Sequence, residues 1–221
     1  MLKRDNITGN PNIGVYISVN DDVAIVPLNL PDEKQKIIKE TLNVEIIKTS
    51  IAGSNLIGAL STGNSNGFLV SPYIEDYELE FLKSKGLNII KLKDKFTAVG
   101  NIIAINDTAA IVNPNLSKDS VKTIEDNLDV EVIKSSIGNL NIIGSLMNVT
   151  NKGFLLYRDS TPAEINFVEE TFKVQGNIGT VGKGITLVGA CSIANNTGVI
   201  VSENTTGPEM ARLEESLGFL D

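Results

Sequence analysis

The one side chain here with strong nucleophilic potential is the thiol of Cys191, the only cysteine among 221 residues. A thiol attacks as the thiolate, so it needs a neighbour that keeps it ionised and an acid or base for the leaving group, roles usually filled by His. The sequence has no His. Triads and relays built on His are therefore excluded, and the commonest transition-metal ligand is missing too. Cys191 instead ends an apolar run, Leu187-Val188-Gly189-Ala190-Cys191, which predicts a strand carrying a small buried side chain. A lone cysteine forms no internal disulfide, as expected in a reducing compartment.

A phosphate loop is the next candidate chemistry. The stretch Gly176 to Gly184 contains Gly182-Lys183, but the P-loop pattern needs Gly five residues before such a pair, where Asn177 stands. Gly184 also replaces the Ser or Thr that would hold magnesium. The stretch is expected to be an irregular inter-strand loop, available as a contact element. Acidic pairs such as Asp21-Asp22 and Glu169-Glu170 read as solvated turn or helix-face charges, and no convergent metal-ligand set is visible. No catalytic residue, metal or cofactor is assigned.

Lys and Arg number 19 against 27 Asp and Glu, for a net charge of −8. On average such a chain repels a phosphodiester backbone, so a basic protein surface is the better-matched partner. No apolar run approaches the roughly 20 residues that span a bilayer, and the opening Met1-Leu2-Lys3-Arg4-Asp5-Asn6 has no secretory core. A cytoplasmic protein without a membrane partner is expected.

The elements that would position any site come from an internal repeat, the strongest signal in the chain. An apolar residue followed by Gly recurs at Ile13-Gly14, Ile57-Gly58, Val99-Gly100, Ile143-Gly144 and Val188-Gly189, with intervals of 44, 42, 44 and 45. Nine residues beyond each glycine a second apolar run begins, at Val23, Gly67, Ala109, Gly153 and Gly198. Turns rich in Asn, Asp and Gly lie between the two columns and are expected to use positive φ angles. A helical stripe then follows, as in Val121/Ile124/Leu128, Ile165/Val168/Phe172 and Met210/Leu213/Leu217. Pro31, Pro162 and Pro208 suit first helical turns, and Thr161-Pro162-Ala163-Glu164 reads as a capping box. A β-branched run such as Val44-Glu45-Ile46-Ile47 completes each unit, giving strand, helix, strand, strand.

The fifth unit is cut short after Gly198, and its missing apolar-Gly strand is expected from Ile13 to Val19 at the other end of the chain. Pairing of the N-terminal strand with the C-terminal unit would close the ring and remove open edges. No Pro/Gly/Ser linker interrupts the pattern, so residues 1–221 are expected to form one domain.

Five such α/β units resemble the pentein propeller, a closed, five-fold pseudosymmetric fold that includes guanidine-modifying enzymes and the initiation factor 6 family. The resemblance to the second lineage rests on Ser50-Ile51-Ala52-Gly53 with Ile57-Gly58, Gly63-Asn64 to Gly67 with Pro72, and Ala98-Val99-Gly100-Asn101 leading to Asn106-Asp107. It continues in Val130-Glu131-Val132, Gly179-Thr180-Val181-Gly182-Lys183-Gly184 and Asn196-Thr197-Gly198. It implies a non-enzymatic monomer bound to the intersubunit face of the large ribosomal subunit, against a basic ribosomal protein beside the sarcin-ricin loop, with limited rRNA contact. There it would exclude the small subunit until released by a GTPase of the elongation-factor type with its assembly cofactor. It also implies an archaeal source, a role in large-subunit maturation, and a partner-binding set of Ser50, Gly53, Ala59, Asn101, Thr180 and Lys183. Eukaryotic members carry Arg where Ala59 stands and extend into a tail beyond the position of Asp221, so neither feature carries over. Two alternatives are a guanidine-modifying enzyme using Cys191, which the absence of His disfavours, and a scaffold for another protein.

Overall fold

Each repeat opens where an apolar residue precedes glycine, and the computed structural model folds that dipeptide into one helical turn instead of a strand. Residues 1–7 and 9–219 are described; Thr8, Leu220 and Asp221, the last being the C-terminal position compared above, lie outside. The chain begins with β1 (Leu2–Asp5), followed by α1 (Ile13–Tyr16), β2 (Ser18–Val19), β3 (Val23–Pro27), α2 (Asp32–Leu42) and β4 (Glu45–Thr49). The second repeat is α3 (Ile57–Leu60), β5 (Ser61–Asn64), β6 (Gly67–Val70), α4 (Asp76–Ser84) and β7 (Ile89–Lys91). The third is α5 (Val99–Ile102), β8 (Ile103–Ile105), β9 (Ala109–Val112), α6 (Lys118–Leu128) and β10 (Glu131–Lys134). The fourth is α7 (Ile143–Leu146), β11 (Met147–Val149), β12 (Phe154–Tyr157), α8 (Pro162–Phe172) and β13 (Gly176–Gly179). The fifth is α9 (Val188–Cys191), β14 (Ser192–Ala194), β15 (Val199–Ser202) and α10 (Gly207–Ser216).

The strands form five separate three-stranded sheets, each with an antiparallel hairpin and one parallel strand, which in the first four follows the long helix. In the fifth sheet the parallel strand is β1, with Leu2 opposite Val199 and Asp5 opposite Ser202. The N-terminus therefore completes the last sheet, but through Leu2–Asp5. The expected donor, Ile13 to Val19, contributes β2 to the first sheet. The stretch Gly176 to Gly184 is likewise no loop at its start, since Gly176–Gly179 pairs with β12.

Why glycine recurs in the five short helices is a matter of contact distance. A methyl group placed on Gly14 would sit 1.9 Å from the carbonyl oxygen of Gly189. The same holds at 2.0 Å for Gly58 on Gly14, 1.8 Å for Gly100 on Gly58, 2.0 Å for Gly144 on Gly100 and 2.0 Å for Gly189 on Gly144. Any side chain would overlap a backbone atom, which cannot swing aside. The circuit visits all five repeats and returns to its start, around a central cavity of about 110 Å³.

Hydrophobic burial follows the same order. Each cluster fills the space between one sheet and the next under a long helix. Ile38 and Leu42 of α2 pack with Ala24 and Val26 of the first sheet and with Ile193 and Ile200 of the fifth. Ile124 and Leu128 of α6 pack with Leu69 of the second sheet and Val112 of the third. Val168 and Phe172 of α8 do so between Ala104 and Phe154, and Leu213 of α10 between Leu155 and Val201. The stripes at i, i+3 and i+7 thus bridge two sheets rather than one.

Candidate functional site

Because the third strand of each sheet is parallel to the second, the long helices all run the same way, and the molecule has two unlike edges. At one edge lie the hairpin turns and the C-termini of the helices. At the other lie the helix N-termini, the short glycine helices and the loops that enter them.

Gly67 aside (φ 153°), the hairpin turns do not use the expected positive φ; among described residues the non-glycine positive φ values fall at Asn43, Ala52, Asp129, Asn139, Lys173 and Lys183. The turn asparagines act through their side chains. The Asn106 side-chain oxygen accepts from Thr108 N and Ala109 N at 2.9 and 3.0 Å. Its amide donates across the seam to Thr150 O and to Phe172 O at the end of α8, at 3.3 and 3.1 Å. Asn64 reaches Asn106 O and Leu128 O, Asn20 reaches Asn64 O, and Asn195 reaches Asn20 O and Leu42 O. Thr150 has no amide to offer, and there the link passes from Asn151 N to Asn196 Oδ1 at 2.9 Å. The bonds to Leu42 O, Leu128 O and Phe172 O satisfy helix-end carbonyls that no intrahelical donor can reach.

The loop edge is built on carboxylates. At the third position of α4, Glu78 accepts from the hydroxyl of Ser50 and from Ala52 N and Gly53 N at 2.7 and 2.9 Å, and it closes a capping box with Glu75. Glu209 of α10 repeats this, accepting from Thr180 Oγ1 at 2.8 Å, Lys183 N at 3.2 Å and Gly184 N at 2.8 Å, with Thr206 as N-cap. Glu164 of α8 holds Gly138 N at 2.6 Å in the box with Thr161 that the sequence announced. The turns they hold are left-handed, at Ala52 and Gly53 (φ 55° and 66°), Gly138 and Asn139 (57° and 60°), and Gly182 and Lys183 (61° and 66°). Two neighbouring residues with positive φ point consecutive N–H groups inward, which is what one carboxylate can accept.

Two seams depart from this rule. In the third repeat the helix offers Ser120, and the carboxylate comes from the loop: Asp94 accepts from Ser117 N, Ser120 Oγ, Lys95 N and Phe96 N. In the first, the third helical position is Lys34, which pairs with Asp5 at the end of β1. Partial burial by itself would raise the carboxyl pKa at Glu78, Glu164, Glu209 and Asp94. The bonds each accepts outweigh it, lowering all four below the usual range and Glu209 to about 2.

The six residues singled out by the sequence fall at this edge in separate groups. Ser50 and Gly53 share Glu78, and Thr180 and Lys183 share Glu209. Asn101 follows Gly100 in α5 and accepts from Ser145 Oγ of α7 at 3.3 Å. Ala59 holds the same place in α3 and is buried. Lys183 and Gly53 are exposed, whereas the Ser50 hydroxyl is turned inward. The carboxylates themselves went unassigned, although Glu three residues after an N-cap was the available signal at both Glu78 and Glu209.

Cys191 lies at the end of α9, not in a strand, and is 1% exposed. Its thiol donates to Asn12 Oδ1 at 3.1 Å, and burial pushes its pKa up to about 11, the opposite of what a nucleophile requires. Among the described residues no group of three or more Cys, Asp or Glu could hold a metal ion, and no helix is long and apolar enough to cross a membrane.

This α/β arrangement has a solved counterpart among pentein-like folds. A variant of the N-terminal domain of ArgZ with a covalently bound reaction intermediate superimposes with a TM-score of 0.50 at 13% identity, covering 77% of this chain and 70% of that one. At that identity the likeness speaks for the fold alone. Sequence is far more specific. The eIF-6 family model matches residues 2–216. Translation initiation factor 6 of Methanobrevibacter smithii is 57% identical over 221 residues, covering 100% of this chain and 99% of that protein. The factor of the same name from Pyrococcus abyssi is 40% identical over 225 residues, covering 99% of each. The chain belongs to the eIF-6 family, whose members named here are translation initiation factors and not enzymes.

Proposed function

We propose that this chain binds the intersubunit face of the large ribosomal subunit through its loop edge and sterically prevents the small subunit from joining too early. In this reading it is a closed five-bladed pentein propeller, a single domain and a cytoplasmic monomer. It acts in initiation and in large-subunit maturation, against a basic ribosomal protein beside the sarcin-ricin loop, and is released by an elongation-factor-type GTPase with its assembly cofactor. The glycine circuit supports the closed ring, and family membership supports the ribosomal setting.

The observation that carries the choice of edge is the conformation of its turns. Ala52, Asn139 and Lys183 hold left-handed backbone at exposed or half-exposed positions. For Ala and Lys this is strained by about 1 kcal/mol relative to Gly; the left-handed residues of the other edge, Asn43, Asp129 and Lys173, are single helix C-caps, whereas at the loop edge they come in adjacent pairs within turns. Strain maintained by a carboxylate beneath the turn and presented at the surface is characteristic of recognition elements. The net charge of −8 suits a basic protein as the principal contact.

Sedimentation with purified large subunits tests the edge. Asn101→Arg and, separately, Lys183→Glu should weaken co-sedimentation about tenfold or more while leaving the melting temperature unchanged. Ser65→Arg, in an exposed turn on the opposite edge, should have little effect. Loss of binding in Ser65→Arg, with both loop-edge variants binding normally, would assign the contact to the other edge.

A further inference from the structure

The acidic average of the chain breaks down in one region. Seven of the 19 basic residues fall between Lys83 and Lys122, where only three carboxylates occur. Strand β7 is the outermost strand of its sheet, and an open groove of about 610 Å³ runs beside it between α4 and α6. Lys83 from α4 and Lys91 and Lys93 from the strand and its extension line this groove, together with Thr123 and Asn127 of α6, and among the described residues no carboxylate does. Lys91 donates to Ile74 O at 3.2 Å, while neither Lys83 nor Lys93 is ion-paired among the described residues.

At Lys93 the groove meets a second one of about 700 Å³, where Tyr73 stands beside Lys95 and is 69% exposed. The two carboxylates there are Asp94 and Asp119, and both oxygens of Asp94 are already engaged by Ser117, Ser120, Lys95 and Phe96.

Ammonium groups along one groove, the remaining amide N–H of Asn127 beside them, and an exposed ring at one end are the parts of a site for a single polynucleotide strand, while the Thr123 hydroxyl is committed to Asp119 O. An acidic peptide added to the β7 edge would need pockets for its alternate side chains. The floor offers none, because Ile89 and Ile90 are buried. We infer that the groove between α4 and α6 binds the phosphate backbone of single-stranded RNA, with a base stacked on Tyr73. The inference rests on the groove alone and is independent of which edge meets the ribosome.

Fluorescence anisotropy of a labelled, unstructured RNA oligomer with the full chain tests it directly. Three phosphate contacts on a single strand give a log–log salt slope of about −2, so a fourfold rise in salt should weaken binding by about 20-fold. Lys83→Glu combined with Lys93→Glu should weaken binding at low salt at least tenfold and flatten that slope. Tyr73→Ala should weaken it about fivefold or more. Lys36→Glu with Lys39→Glu changes net charge equally on the exposed face of α2 and should stay within about threefold of the parent. Thermal melts establish that each variant is folded, with Lys83→Gln and Lys93→Gln as the milder pair should the reversal unfold the chain. Absence of salt-dependent RNA binding, equal losses in the two charge-reversed pairs, or tighter binding of a polyglutamate peptide than of RNA would each overturn the assignment.

Discussion

The two edges of the molecule solve one problem, how to tie five repeats together, with opposite chemistry. At the hairpin edge neutral amides cross every seam but one and end on carbonyls of the neighbouring turn and, at three seams, of a helix terminus, so the side chains there are consumed by the fold. At the loop edge the helix carboxylates of Glu78, Glu164 and Glu209 grip mainly backbone N–H groups, with the hydroxyls of Ser50 and Thr180 drawn in beside them, which leaves side chains such as that of Lys183 exposed. One edge therefore tolerates few changes of residue type. The other can vary its surface while its backbone stays put, which is the property a binding edge needs.

Removing what both edges stand on should have the largest effect. Gly100→Ala places a methyl 1.8 Å from the Gly58 carbonyl oxygen, and the expected loss is about 3 kcal/mol or more. A thermal melt within a few degrees of the parent would show that the short helices can spread apart. Next comes the hairpin edge. Asn106→Ala deletes two donated and two accepted bonds at a buried position and should lower stability by about 3 kcal/mol in urea titrations. A loss under about 1 kcal/mol would mean that water replaces the amide.

The loop edge should respond less, and with a pH signature. Glu209→Gln keeps the shape but weakens the bonds to Thr180, Lys183 and Gly184, with an expected loss of about 1 to 2 kcal/mol at neutral pH. Because the folded pKa of about 2 lies below the ordinary 4.5, the unfolded chain binds the proton more readily. The contribution of Glu209 is thus fully present above about pH 4.5 and is lost as pH falls toward 2. Acid titrations of the parent and Glu209→Gln should converge in that window; parallel curves would contradict the assignment. The smallest effect is a gain: Thr150→Asn restores the amide missing from the hairpin circuit and should add about 0.5 to 1 kcal/mol. A neutral or negative result would show that this seam is already saturated through Asn151.

Much of the architecture was legible because a period near 44 repeats five times and the helical stripes at Ile124/Leu128 and Val168/Phe172 are strongly apolar on one side. The short helices were read as strands because four residues hold barely one turn, too few to show a helical period, and Ile and Val flank the glycine. Strand β1 was missed because Leu2-Lys3-Arg4-Asp5 is mostly charged, as suits an outer strand with one face in water. The turn asparagines were correctly placed but given the wrong task, since amide-to-carbonyl bonds across 42 to 66 residues leave no mark in local sequence. At the loop edge, the turn residues could be singled out by resemblance. Their anchors could not, since the capping carboxylates sit 25 to 29 residues downstream.

The pairing of Leu2–Asp5 with Val199–Ser202 also bears on the order of events as the protein comes into being. A nascent chain exposes its first strand long before the partner of that strand has been synthesised. Four seams can set as each successive repeat emerges, because their contacts span little more than one period. The seam between the fifth repeat and the first joins residues 197 positions apart, and pairings over such spans form slowly even though the entropy of closing a loop grows only with the logarithm of its length. That seam is expected to be the last to set. Until it does, β15 presents a bare edge to other newborn chains, and pulse-labelled hydrogen exchange during refolding should find its amides among the last to gain protection.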